Sequence, residues 1–126
     1  MTGDADTGDQ AFGRERRLTR ASEYGRVFGD NFRCGDRYFT ILARPREDGD
    51  SARLGLAIAK KQIRRAVDRN RLKRIIRESF RQQRSRLPAV DLVVMVRRPV
   101  LDLQQAEIFP RLQRLWHKII ERCENC

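Results

Sequence analysis

A single histidine, His117, stands in this chain of 126 residues, so general acid–base chemistry near neutral pH has one ready carrier. It sits among Leu115, Trp116, Ile119 and Ile120, where apolar spacing makes a packed or surface histidine the ordinary reading. Cys123 and Cys126 form a Cys-x-x-Cys shortly after it, but a zinc site there needs an ordered terminus and a fourth ligand. With Cys34 they make three thiols, no paired framework of the secreted kind, and they read as incidental. No serine–histidine–aspartate arrangement, phosphate-cradling glycine loop or pair of acidic metal ligands stands out. The sequence therefore points to no catalytic residue and no metal held by the protein.

What it offers instead is cationic chemistry. Lys and Arg number 28 against 17 Asp and Glu, a formal charge of +11, and charge of that size attracts polyanions before any specific contact forms. The stretch 60–86 holds 12 basic residues and only Asp68 and Glu78 as acids, a net +10. Arg69, Arg71, Arg74, Arg77 and Arg81 supply planar forks that donate two hydrogen bonds to one phosphate, and Lys73 adds a mobile point charge. Asn70 offers both donor and acceptor to a base, a ribose or a neighbouring arginine. Lys60, Lys61, Arg64 and Arg65 precede this run, near the positive end of the helix it should form. Tyr24, Phe28 and Phe39 are candidate stacking platforms for an unpaired strand, although aromatics at such spacings more often belong to a core.

These side chains need a scaffold, and the length suits one domain with one modest core. Residues 1–12 form an acidic N-terminal tail too poor in apolar groups to repay ordering; residues 13–121 are the expected domain, and 122–126 a C-terminal tail. Ser22 can cap a short helix whose Tyr24, Val27 and Phe28 share a face. Residues 37–44 are β-branched and aromatic, Pro45 stops them, and the polar, glycine-bearing 46–51 reads as a hairpin connection to a second strand over 52–59, antiparallel to the first. From Ile63 or Ala66 to about Arg84 the period becomes helical. Leu72, Ile75, Ile76, Ser79 and Phe80 gather on one side and the cations fill the neighbouring arc. Residues 91–96 read as a strand buried on both faces, central in a mixed sheet. Asp102 with Gln105 is a plausible capping box for a last amphipathic helix carrying Ile108, Leu112, Leu115 and Trp116, which Pro110 either kinks or begins. The order is helix, two or three strands, basic helix, strand, helix: a small α/β sandwich around a strand–helix–strand crossover. No stretch approaches the roughly 20 continuous apolar residues that span a bilayer, and no secretory signal is evident, so a cytoplasmic location is expected.

The run from Lys60-Lys61 to Arg81, containing Ala66-Val67-Asp68-Arg69-Asn70-Arg71-Leu72-Lys73-Arg74-Ile75-Ile76-Arg77-Glu78-Ser79-Phe80-Arg81, resembles the signature of the bacterial ribonuclease P protein component. The resemblance extends over Arg17-Leu18, Tyr24 to Phe28, Arg53-Leu54-Gly55-Leu56, and Leu87-Pro88 before Asp91-Leu92-Val93-Val94. It implies an α+β fold like the second domain of ribosomal protein S5: a mixed four-stranded sheet, order α-β-β-β-α-β-α, with a left-handed β-α-β crossover against the general right-handed preference. It implies an endoribonuclease subunit that, with a catalytic RNA, hydrolyses precursor tRNA to remove the 5′ leader, the Mg²⁺ ions being held chiefly by the RNA. Its partners would be that RNA and the precursor, with the protein alone a monomer and no membrane involved. The basic helix and its surroundings would face the catalytic RNA, while Tyr24 and Phe28, with Phe39, would line a leader cleft between sheet and helix. Two residues depart from the family pattern: Tyr24 stands where Phe is usual, and Asp68 where many members are basic. The competing reading is a ribosomal or general structured-RNA-binding protein without enzyme association.

Overall fold

The computed structural model describes residues 17–18, 21–46 and 51–124. The expected N-terminal tail, most of the 46–51 connection and Cys126 lie outside them. Helix α1 spans Ala21–Gly29, strands β1, β2 and β3 span Phe32–Gly35, Phe39–Pro45 and Arg53–Ala57, helix α2 spans Ala66–Gln83, strand β4 spans Val90–Val96 and helix α3 spans Gln105–Glu124. Short 3-10 turns, Arg84–Arg86 and Arg98–Asp102, follow α2 and β4.

The sheet order is β1-β2-β4-β3, with β4 antiparallel to β2 and parallel to β3. The central place of β4 follows from its composition. Val90, Leu92, Val94 and Val96 face one side and Asp91 and Val93 the other, and all six are buried, as a strand covered on both faces requires. This corrects the expected hairpin. Strands β2 and β3 do run in opposite directions, but β4 lies between them, because its continuous apolar run loses more by standing at an edge than either neighbour. The parallel pair makes β3-α2-β4 the crossover unit.

The period-two alternation sorts the side chains into two layers. Phe39, Ile41, Leu54, Leu92 and Val94 point into the larger core with Leu72, Ile75, Ile76 and Phe80 of α2 and Ile108, Leu112, Leu115 and Trp116 of α3. The α2 residues are those the helical period selects. Phe80 and Trp116 meet edge to face at 5.9 Å between ring centroids, and the buried Trp116 Nε1–H donates to Ser79 Oγ at 2.8 Å. That bond explains why a serine belongs on the apolar face of α2. On the opposite side of the sheet, Leu42 and Val93 meet Leu18 and Val27, with Tyr24, Ala57 and Met95 packed alongside. Helix α1 covers this second, smaller core.

Two expected caps fall elsewhere. Ser22 lies exposed inside the first turn of α1 and does not precede it. Asp102 ends the 3-10 turn; the reciprocal pairing at the start of α3 joins Gln104 and Glu107, whose carboxylate accepts the Gln104 N–H at 2.8 Å while its own N–H donates to the Gln104 carbonyl at 2.9 Å. The carboxylate half of a capping box is therefore present two residues further along, while a backbone carbonyl takes the place of the capping side chain. Pro110 stands inside α3 without ending it, since the carbonyl it fails to satisfy belongs to the exposed Ala106, where water can serve.

Candidate RNA interface

Parallel pairing sets the geometry of the basic end. Because β3 and β4 run the same way, their C-terminal connections emerge side by side, one carrying Lys60 and Lys61 and the other Arg97 and Arg98. The Arg98 backbone N–H donates to Gln62 Oε1 at 3.0 Å and its Nη2 to the Lys61 carbonyl at 3.1 Å. Arg98 thus ties the two connections together and holds the lysine loop. Sequence reasoning passed over Arg97, Arg98 and Gln62; the available signal was a basic pair at the C-terminal end of a strand that had to lie parallel to β3.

Helix α2 starts from Arg65 in an extended conformation with no side-chain cap. The bond that closes this end comes from further along: Arg69 Nη1 donates to the carbonyls of Ile63 and Arg64, each at 2.9 Å. Arg69, placed by its type among phosphate ligands, spends that nitrogen on the protein's own chain. Asp68 lies within 3.9 Å of both Arg65 and Arg71 and offsets part of the first turn's charge. Further along, Arg81 sets its fork against Glu78, with Nε to Oε1 at 3.0 Å. The hydrogen bond from Arg81 holds the Glu78 carboxyl below its ordinary range, and the same bond raises the Arg81 guanidinium.

Lys60, Lys61, Arg64, Arg65, Asn70 and Arg74 are exposed, whereas Arg71, Lys73 and Arg77 are half-buried. At about 100° per residue, Asn70, Lys73, Arg74, Arg77 and Arg81 share one arc of α2, whereas Arg71 lies on its other flank, and Lys60, Lys61, Arg64 and Arg65 lead into its first turn. The N-terminus of α2, with its unpaired backbone N–H groups, adds positive potential there.

The aromatic candidates divide. Tyr24 lies against Gly55, where an added Cβ would come within 2.7 Å of the ring, and its hydroxyl accepts the Leu56 N–H at 3.3 Å. The hydroxyl thus covers a backbone donor on the outer edge of β3, beside the point where the Leu18 N–H donates to the Leu54 carbonyl. Phe28 is 49% exposed. Phe39 is fully buried and packs in the core beneath α2 and α3, on the sheet face away from Tyr24. It cannot line a cleft next to α1: residues 39, 41 and 43 share a parity opposite to Leu42, and only the even positions of β2 face that helix.

One ionic cluster joins α1 to the sheet. Asp91 is buried, with Arg53 gripping both its oxygens at 2.8 and 2.9 Å and Arg46 reaching one at 3.1 Å. Arg53 also donates to Glu23 at 2.9 Å. The Asp91 hydrogen bond leads the causes that raise the Arg53 guanidinium. Among the described residues no three His, Cys, Asp or Glu come together to hold a metal ion, and the carboxylates of this cluster are engaged by arginines. The side chains described do not fit a resident metal.

A mixed sheet carrying a basic helix on one face and a short aromatic helix on the other defines a small RNA-binding α+β protein. The Ribonuclease P family profile matches residues 12–120, so the chain belongs to the ribonuclease P protein family. It is 52% identical over 117 residues to the ribonuclease P protein component of Thioalkalivibrio sulfidiphilus, covering 93% of this chain and 97% of that one. It is 47% identical to that of Photobacterium profundum, covering 86% and 92%. Among solved structures, a Staphylococcus aureus RNase P protein superposes with a TM-score of 0.75 at 29% identity, covering 79% of this chain and 91% of the other. The Thermotoga maritima RNase P protein gives 0.73 at 28%, covering 82% and 96%. As a subunit of this endoribonuclease holoenzyme, the protein functions with RNA to process the 5′ leaders of precursor tRNA. No helix among the described residues is long and apolar enough to cross a membrane.

Proposed function

We propose that the exposed cations around the N-terminal end of α2, namely Lys60, Lys61, Arg64, Arg65 and Arg74, with Arg71, Lys73 and Arg77 on its flanks, bind the backbone of the catalytic RNA. Asn70 lies among them, and Arg81 contributes through what charge Glu78 leaves it. The observation that supports this most is the parallel β3/β4 pair, which brings two basic connections to the end where α2 begins. Tyr24 and Phe28 form the wall of a site for the single-stranded leader on the α1 face of the sheet; Phe39 is left out of it. Family membership implies Mg²⁺-dependent catalysis mediated by RNA, and the ions reside with that RNA. The work of this chain is to bring cations against phosphates that repel one another, lowering the Mg²⁺ needed for active geometry, and to hold the leader. It acts in the cytoplasm, as a monomer before assembly.

Reconstitution tests this reading. The catalytic RNA is assayed on precursor tRNA at low Mg²⁺ with and without the protein, beside a K60A/K61A/R64A/R74A variant. Wild type restores leader removal and the variant does not until Mg²⁺ is raised. Equal rescue by the two would refute the assigned surface.

A further inference from the structure

The last helix carries a second basic surface with a different construction. Arg111, Arg114, Lys118 and Arg122 follow one another at spacings of three, four and four residues, which places them within about 80° of the helix circumference. They form a stripe running about 16 Å along the axis. Two of them are pinned onto aromatics of the β1–β2 edge: the Arg111 guanidinium lies 4.5 Å from the Tyr38 ring centroid and that of Arg122 4.4 Å from the Phe32 ring. Arg122 also donates to the Arg33 carbonyl at 2.9 Å. Since Tyr38 precedes β2 and Phe32 opens β1, these two clamps lay α3 antiparallel along the edge strand. Arg114 and Lys118 between them are exposed. The neighbouring acids are Glu107, occupied by the Gln104 N–H, Glu121, and Asp36, whose carboxylate accepts the N–H groups of Tyr38 and Phe39.

We infer that this stripe is a second RNA-backbone contact, made with the catalytic RNA at a place separate from the α2 surface. Charge complementarity supports RNA: the exposed Arg114 and Lys118 extend the stripe, and the Arg111 guanidinium, held on the Tyr38 ring, loses less rotational entropy when it meets a phosphate. Position supports the catalytic RNA over the substrate. Helix α3 lies on the face of the sheet opposite α1, Tyr24 and Phe28, so a leader held by α1 does not reach the stripe. It also runs along β1, at the far edge of the sheet from β3 and the lysine loop. Two packed helices, each about 10 Å across, separate the two basic flanks, so different segments of the large RNA meet them.

The test is binding of catalytic RNA alone, without substrate, across a salt series, with R114A/K118A and R114E/K118E. These residues are exposed and keep the aromatic clamps intact. The alanine pair should weaken binding several-fold at moderate salt and lower the log–log salt slope by about 1.8, the value for two lost phosphate contacts; the glutamate pair should weaken it further. Combined with R74A, the losses should multiply, as for independent sites. Wild-type affinity and slope in both pairs would overturn the proposal. So would a defect seen only with precursor tRNA present, since the stripe would then serve the substrate. Because R74A alone reports on the α2 surface, failure of one assignment is visible apart from the other.

Discussion

The Arg53 guanidinium binds Asp91 edge to edge, one nitrogen on each oxygen, while its remaining amino group holds Glu23 of α1. Asp91 has a side-chain exposure of 3% and Arg53 of 21%, so the pair is shielded on one side and wet on the other. Removing the Asp91 charge leaves Glu23 as the one carboxylate against Arg53 among the described residues and leaves Arg46 without the anion it reaches. Asp91→Asn should destabilise folding by about 3 kcal/mol, the lower end for a broken buried pair because the arginines retain water. Chemical denaturation measures it. The raised Arg53 value means that on the alkaline side this stabilisation is kept through neutral pH and mild alkali and is lost as strong alkali deprotonates the guanidinium; a loss of stability tracing to this cluster in mild alkali would contradict the assignment.

Gly55 and Tyr24 make a second coupled pair. A Cβ at position 55 would press on the phenol ring at 2.7–2.8 Å, and the ring can yield only by giving up the Leu56 N–H. Gly55→Ala should therefore cost about 1–3 kcal/mol as an overpacked contact and should displace the Tyr24 wall. In the assembled enzyme the preference for precursor over mature tRNA should fall, with affinity for the catalytic RNA unchanged. Competition binding of the two tRNAs reads the ratio.

Arg69 and Arg74, five residues apart on one helix, should part company on substitution. Arg69 Nη1 closes the start of α2 on two carbonyls, so Arg69→Ala should lower stability by roughly 1.5–3 kcal/mol, the range for a charged donor. Arg74 is exposed; Arg74→Ala should melt like wild type and reduce the salt slope of RNA binding by about 0.9. Thermal melts and filter binding on the same two proteins separate the roles.

Glu78 masks a cation. Its carboxyl is held low by Arg81, so the pair is intact above the ordinary glutamate range and is lost as pH falls through the depressed value. Glu78→Gln should release the Arg81 fork at neutral pH and tighten RNA binding by a few-fold, raising the salt slope by up to about 0.9. Unchanged affinity and slope in a folded Glu78→Gln would show that Arg81 points away from the RNA.

Much of this was legible in the chain. The helical period picked out Leu72, Ile75, Ile76, Ser79 and Phe80, and the unbroken apolar run placed β4 in the middle of the sheet. Strand order was harder, because strands joined by a short polar connection usually pair, and only competition among all strands for the buried position sends β4 between β2 and β3. Period two fixes that Phe39 and Leu42 face opposite ways but not which of them meets α1. Residue type likewise marks Arg53, Arg69 and Arg98 as cations without saying that their nearest acceptors are Asp91, Ile63 and Lys61 of the same chain. Those assignments depend on tertiary neighbours 38, 6 and 37 residues distant in sequence, beyond any local pattern.

The salt dependence of catalytic RNA binding by K60A/K61A/R64A/R65A, beside wild type and with folding verified, bears most directly on the basic end of the molecule. Four fewer phosphate contacts should flatten the log–log slope by about 3.6 and weaken binding steeply at low salt, with wild type and variant converging as salt rises. An unchanged slope would mean that these four cations face solvent in the holoenzyme and that the RNA is held elsewhere.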